Sequence, residues 1–254
     1  MTDTHSHPYM AETPALAIES MRRAISNGVD RIIMPNTDVS TIQPMKDLEA
    51  AFPGNIRLAI GLHPTEVKES ADEDLSVIMA ELDNNPDKYV AIGEIGLDFY
   101  WDRSFEKKQI EIFDLQVAKA VQQNLPVIIH CREALDETLE VLKGHKNVRG
   151  VFHSFGGTPE DIAKISRVGD FYFGINGIVT FKNSKLKDAL SSIPADRLLL
   201  ETDSPYLAPV PKRGKPNESA YLPYIAQFIA DSLGKPLSTI IEETSQNSER
   251  LFGF

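Results

Sequence analysis

Eight short apolar runs, each followed by a stretch of helical periodicity, set the pattern of this chain. The first is a brief strand around residues 3–7. The others are 31–37 (RIIMPNT), 56–63 (IRLAIGLH), 89–98 (YVAIGEIGLD), 125–130 (LPVIIH), 150–153 (GVFH), 171–178 and 196–203 (DRLLLETD). Helices are expected over 14–26, 40–51, around 75–82, 105–123, 133–142, from 159, and over 185–191. Two more, 219–233 and 238–252, finish the chain. Thr13-Pro14 and Thr158-Pro159 read as an N-cap followed by the first helical residue. In the longest helix, Phe105, Ile112, Leu115 and Ala118 are assigned to the apolar face. Eight strands alternating with helices in 254 residues is the count and size of a (β/α)8 TIM barrel, an α/β fold, here with an additional C-terminal helix. A doubly wound sheet would place a Gly-rich phosphate turn after an early strand, and none is present. One domain over 1–254 is the expectation.

In such a barrel the active residues sit at the C-terminal ends of the strands. The histidines fall there. His5 and His7 follow the first strand, His63 ends the third, His130 the fifth and His153 the sixth, with Glu94 late in the fourth and Asp203 closing the eighth. In an extended chain a period of two puts His5 and His7 on one face, a two-pronged imidazole clamp. Of the six histidines, only His145, in a Lys-Gly-His-Lys turn, lies outside this pattern and is expected in an exposed loop. Four imidazoles and two carboxylates (His5, His7, Glu94, His130, His153, Asp203) exceed the three protein ligands usual at one catalytic zinc. They suit two ions, with Glu94 as the natural bridge.

The formal net charge of -11 argues against bulk electrostatic binding of nucleic acid, so a polyanionic substrate must be held locally. Cations in a carboxylate-rich pocket would reverse the field where a phosphate sits. No apolar run approaches the roughly 20 residues of a membrane span, and the start of the chain lacks a secretory pattern. Cys131, the only cysteine, permits no internal disulfide, which suits a reducing, cytoplasmic setting. It is expected to be a small buried thiol outside the chemistry.

The motifs DTHSH at the start, GLHP at 61–64, IGEIGLDFY at 92–100, PVIIHCR at 126–132, FHSFGG at 152–157, LLLETDSPYLAP at 198–209 and PKRGKPNE at 211–218 follow one another in a fixed order. In that combination the chain resembles, along nearly its whole length, the TatD family of metal-dependent deoxyribonucleases, within the amidohydrolase-type barrels. The resemblance implies that His5, His7, Glu94 and Asp203 hold one divalent ion and that Glu94, His130 and His153 hold a second. It also implies magnesium-supported cleavage of DNA, often from the 3′ end. Two departures stand out: the segment after His7 (PYMAETPALA) is short and lacks the usual Leu-Asp, and NES at 217–219 replaces NEP.

The expected activity is therefore phosphodiester hydrolysis by a two-metal-activated water, with Glu94 and Asp203 catalytic and Asp203 as proton acceptor. Imidazole ligands also suit zinc or manganese. The expected partner is DNA or an oligonucleotide, with no membrane and no obligate protein partner. His63 and Arg132 could contact phosphate, Lys212, Arg213 and Lys215 could form a phosphate rail, and Phe99, Tyr100 and Trp101 could stack on a base. The alternative reading is an amidohydrolase-type enzyme acting on a C–N or ester bond of a small molecule. A metal-stabilised scaffold without activity is the third.

Overall fold

A computed structural model describes residues 1–254. The chain runs β1 (Thr2–Asp3), α1 (Pro14–Ser26), β2 (Arg31–Pro35), α2 (Ile42–Ala51), β3 (Ile56–Ile60), α3 (Ala71–Asn84), β4 (Tyr89–Asp98) and α4 (Glu106–Gln123). It continues through β5 (Val127–Arg132), α5 (Leu135–Lys143), β6 (Arg149–Phe152), α6 (Pro159–Ser166), β7 (Asp170–Ile175), α7 (Leu186–Ala189) and β8 (Leu198–Leu200). It ends with α8 (Leu222–Leu233) and α9 (Leu237–Phe252). The eight strands pair in parallel in sequence order. The first and last are joined by Thr4 N–H to the Leu200 carbonyl (3.0 Å), Asp203 N–H to His5 (2.9 Å) and His7 N–H to Ser204 (2.8 Å). The fold is a TIM barrel with an added C-terminal helix. None of its helices is long and apolar enough to cross a membrane.

Local chemistry sets the helix ends as expected. The Thr13 side chain accepts from Leu16 N–H at the start of α1, and Thr158 and Asp161 form a reciprocal capping box on α6. The outer strands are shorter than their apolar runs. The run at 196–203 yields only three strand residues, because Ala195–Arg197 winds into a 3-10 turn and Asp203 takes a left-handed φ of 57°. Beyond β1 the chain bends at Thr4 and His5, and a single β-bridge then pairs Ser6 with Ser204, past the end of β8.

The face of α4 differs from expectation. Leu115 is 48% exposed, and Ala118 faces solvent too, while Gln109, Ile112, Phe113, Gln116, Val117 and Ala120 are buried. Two glutamines occupy the buried stripe because backbone groups await them there. Gln116 Oε1 accepts Leu62 N–H (2.7 Å) and its amide donates to the Leu62 carbonyl (3.2 Å). Gln109 does the same for Asp98, at 3.0 and 3.2 Å. Helix α4 thus grips the backbone where β3 and β4 end.

Two apolar layers follow from the two faces of the sheet. Outward residues such as Ile32, Met34, Leu58, Ile92 and Ile129 pack under the helices. Inward residues Ile33, Ala59, Ala91, Ile128, Val151, Tyr172 and Leu199 fill the barrel, capped by Leu251 and Phe252 from the end of α9. This plug occupies one end and leaves the other to polar side chains.

Candidate metal centre

Side chains alternate along a strand, so each inward apolar residue has an inward partner two positions later. Ile128 of the plug is followed by His130, Val151 by His153, and Leu199 by Glu201 and then Asp203. Strand β4 breaks this parity. Ala91 points inward, so Gly93 and Ile95 should follow it, yet Ile95 lies in the outer layer. The register against β5 shifts by one residue between Ile92, opposite Val127, and Ile95, opposite Ile129. That extra residue turns Glu94, Gly96 and Asp98 to the interior. Gly93 is required at the shift, since a Cβ there would sit 2.5 Å from Cβ of Ile128.

Glu94 is the hub. Its Oε2 lies 3.1 Å from His5 Nε2 and 3.5 Å from His7 Nε2, and those two nitrogens are 3.0 Å apart and each 3.9 Å from Asp203 Oδ1. Its Oε1 lies 2.8 Å from His153 Nε2, 3.0 Å from His130 Nδ1 and 3.3 Å from His63 Nε2. One carboxylate thus faces two separate clusters of donors. Three overlapping sets, His5/Glu94/His153, His5/His7/Asp203 and His63/Glu94/His130, each bring their ligand atoms within 4.8 Å of one another.

The electrostatics of this cluster call for cations. Burial opposes an ionised Glu94, but the imidazoles of His153, His63 and His5 outweigh it and hold its pKa well below the usual carboxylate range. Burial holds the pKa of His5 low, whereas at His153 the carboxylates Glu94 and Glu201 overcome burial and raise it. Burial pushes Asp203 up to about 6. Nδ1 of His5 and of His153 are buried without a hydrogen-bond partner. Imidazoles and carboxylates whose ligand atoms converge in one buried cluster fit divalent cations, which would take the place of the protons that Glu94 and Glu201 hold on His153.

The surrounding residues hold the donors in place. Tyr9, from the short segment after His7, donates to the Pro35 carbonyl (2.6 Å) and meets His7 Nδ1 at 2.9 Å, orienting that ring. Asp98 Oδ2 lies 2.9 Å from His130 Nε2. Glu201 Oε1 accepts Ser154 N–H (2.5 Å) and lies 3.5 Å from His153 Nδ1. A Cβ at Gly174 would collide with that carboxylate. Asp3, whose pKa burial pushes up to about 7, accepts from Thr202 N–H (2.9 Å) and Thr202 Oγ1 (2.6 Å) beneath the histidine pair. Ser219, where the motif usually has proline, joins the hydroxyl chain Ser219–Ser6–Ser204 at 3.0 and 2.7 Å. Asp98 and Glu201 were missed from sequence, although each stands in register with a chosen residue: Asp98 four after Glu94, and Glu201 two before Asp203.

The structure brings all six expected ligands together and corrects several other assignments. His63, expected to contact phosphate, lies inside the cluster against Glu94. Phe99 is core, with 3% exposure, so only Tyr100 and Trp101 remain open for stacking. Arg132 lies over Tyr100, 3.8 Å from the ring centroid. The basic residues after β8 meet different neighbours: Lys212 lies over Tyr221 and Tyr224, Arg213 packs on Phe181 at 3.8 Å, and Lys215 is exposed. His145 lies in a loop as expected, but half-buried and paired with Asp114 at 2.7 Å rather than exposed. Cys131 is half-buried, and burial pushes its thiol up to about 11.

A sequence profile of the family described as TatD related DNase matches residues 2–253. The uncharacterised metal-dependent hydrolase YabD of Bacillus subtilis is 40% identical over 253 residues, 98% of each chain. A protein of Pantoea vagans named 3'-5' ssDNA/RNA exonuclease TatD is 35% identical over 240 residues, 91% of each chain. Among solved structures, YjjV, a TatD homologue of Escherichia coli, superposes with a TM-score of 0.93 at 29% identity, covering 100% of this chain and 98% of that one. With a matching profile along nearly its whole length and a barrel of the same form, the chain belongs to the TatD-related family of metal-dependent hydrolases.

Proposed function

We propose that residues 1–254 form one domain that hydrolyses phosphodiester bonds of DNA, shortening it from the 3′ end with two divalent cations, magnesium in function. His5, His7, Glu94 and Asp203 would hold one ion. Glu94, His130 and His153 would hold the other, with His63 beside it. The observation that carries this reading is the two-sided Glu94, whose oxygens face different imidazole clusters at 2.8 to 3.5 Å. The substrate class is supported by the exonuclease name of the Pantoea relative. When bound, divalent cations lower the pKa of water and stabilise charge on phosphoryl oxygens.

The chain's own groups do the rest. Asp203, half-buried with Oδ1 3.9 Å from Nε2 of both His5 and His7, would accept the proton released in hydrolysis. Asp98 holds the proton on His130 Nε2, which would leave the Nδ1 lone pair for a cation held beside Glu94. Arg132 is placed to grip a substrate phosphate. The lone, disulfide-free Cys131 suits the reducing cytoplasm, where we place the enzyme.

The test is cleavage of an end-labelled single-stranded DNA by chelated protein restored with magnesium, manganese or zinc, with Glu94→Ala as control. Stepwise shortening that needs both metal and Glu94 is expected. No cleavage with any ion, despite bound metal, would move the assignment to a hydrolase of C–N or ester bonds in small molecules.

A further inference from the structure

Each imidazole of the centre has two nitrogens, and the group behind the ring decides which of them can serve a cation. Where the outer nitrogen meets an acceptor it keeps its proton, and the inner nitrogen is the one that can give a lone pair to an ion. Three rings follow this pattern. His7 Nδ1 lies 3.1 Å from the Pro35 carbonyl, His130 Nε2 2.9 Å from Asp98 Oδ2, and His153 Nδ1 3.5 Å from Glu201 Oε1.

His63 is built the other way round. It precedes the single turn Pro64–Glu66, in which Thr65 N–H donates to His63 Nδ1 at 3.2 Å. The Thr65 hydroxyl, 2.7 Å from the same nitrogen, can donate or accept, but an amide N–H can only donate. The outer nitrogen of His63 therefore presents its lone pair, and the proton of the neutral ring sits on Nε2. That nitrogen faces inward, 3.3 Å from Glu94 Oε1, and the ring stands edge-on to His130 with centroids 4.6 Å apart. The main chain holds this geometry. His63 N–H bonds the Thr37 carbonyl (2.9 Å), and Glu66 N–H closes the turn on the His63 carbonyl (2.9 Å).

The ligand atoms of His63, Glu94 and His130 lie within 4.8 Å of one another, a spacing that by itself suits a cation. A nitrogen that carries a proton has no lone pair to give, so the turn at Thr65 removes His63 from that set. What it offers instead is a fixed donor. Glu94 Oε1 is held from that side while Oε2 faces His5 and His7.

We infer that His63 is a positioning residue, fixed by the Thr65 amide as an Nε2–H donor to Glu94 Oε1, and that it stands beside the second ion without ligating it. That ion would take only Glu94, His130 and His153 from the chain, which leaves positions for water and substrate. The statement about the ion rests on the two-ion reading above; the place of the proton does not.

The test begins with ion-free protein carrying nitrogen-15 histidine, above neutral pH. Long-range proton–nitrogen correlations distinguish a protonated ring nitrogen from one with a free lone pair, and His63→Gln identifies the His63 signals. A protonated Nε2 and an unprotonated Nδ1 are expected at His63. They should persist when zinc, a diamagnetic probe, is added, while the His130 and His153 signals move. A proton on Nδ1 in the ion-free protein, or loss of the Nε2 proton on loading, would overturn the inference. If no histidine responds to zinc, the two-ion reading fails and the claim about ligation falls with it, whereas the ion-free spectrum still decides the place of the proton. Titration with Mn2+ supplies the second arm. Glutamine keeps an amide N–H near the place of Nε2 and leucine does not, so His63→Leu should weaken one binding step about 10–100-fold, and His63→Gln should restore most of that loss. Unchanged circular dichroism confirms that both variants are folded. Equal weakening in the two would mark a lost ligand, and no weakening in either would remove the positioning role.

Discussion

Replacing Asp98 by asparagine should separate fold from metal binding. The side chain is 1% exposed and serves three donors: His130 Nε2 at 2.9 Å and the backbone N–H groups of Tyr100 and Trp101 at 3.0 and 3.3 Å. Alanine removes both acceptor oxygens and so all three bonds. The two backbone donors lie in an exposed turn and regain water, so each loss costs about 0.5 kcal/mol, while the charge-assisted bond to His130 contributes about 2 kcal/mol. Asp98→Ala should therefore lose about 3 kcal/mol and roughly 6–12 °C in Tm for a chain of this size. Asparagine is nearly isosteric and keeps Oδ1 for the turn, but it sets an NH2 against His130 Nε2. The imidazole must then carry its proton on Nδ1, the nitrogen that faces Glu94. Losing a partner of this kind typically costs about 10–100-fold in metal affinity. Calorimetric titration of Asp98→Asn with Mn2+ should show one binding step weakened by that factor and the other nearly unchanged, in a protein that melts within a few degrees of the parent. Two steps of wild-type affinity would refute the role given to Asp98.

Further outcomes follow from packing and burial. Gly96 has φ of 143°, and a Cβ there would collide with the His130 carbonyl; Gly96→Ala should cost at least about 3 kcal/mol in urea unfolding, and a loss under about 1 kcal/mol would contradict the close approach of β4 and β5. Phe113→Ala, at a fully buried position of α4, should cost about 3–5 kcal/mol, whereas Leu115→Ala on the opposite face should stay within about 0.5 kcal/mol; equal effects would contradict the observed orientation of the helix. With its thiol pushed up to about 11, Cys131 should be about 0.03% thiolate at pH 7.5 and resist iodoacetamide until the protein is unfolded; fast labelling of the native protein would contradict its burial.

The barrel was legible because its two periods are plain in the residues. Apolar runs such as IRLAI and VII can only be strands buried on both faces, and Thr-Pro caps fix where α1 and α6 begin. The ligands were legible because histidines and acids gather at one end of those runs. What the residues did not disclose came from tertiary override. On α4 Leu115 and Ala118 read as core, since nothing local reveals that Leu62 and Asp98 offer backbone groups to Gln116 and Gln109 on the other stripe. The one-residue shift in β4 is equally silent, because strict alternation from Ala91 would turn Gly93 inward and Glu94 out to the helices. His63 was expected to end its strand and contact phosphate, but β3 stops at Ile60, and the turn that carries the ring to Glu94 is held by Gln116 on Leu62 and by the bond from His63 N–H to the Thr37 carbonyl (2.9 Å).

The central claim is that Glu94 joins two ions in one centre. Electron paramagnetic resonance of the protein loaded with manganese tests it directly, since two Mn2+ ions sharing a carboxylate are exchange-coupled and isolated ions are not. The account predicts two Mn2+ per chain with a coupled multiline spectrum, collapsing to an isolated-ion signal or to metal loss in Glu94→Ala. One ion per chain, or two uncoupled ions in the unaltered protein, would contradict it.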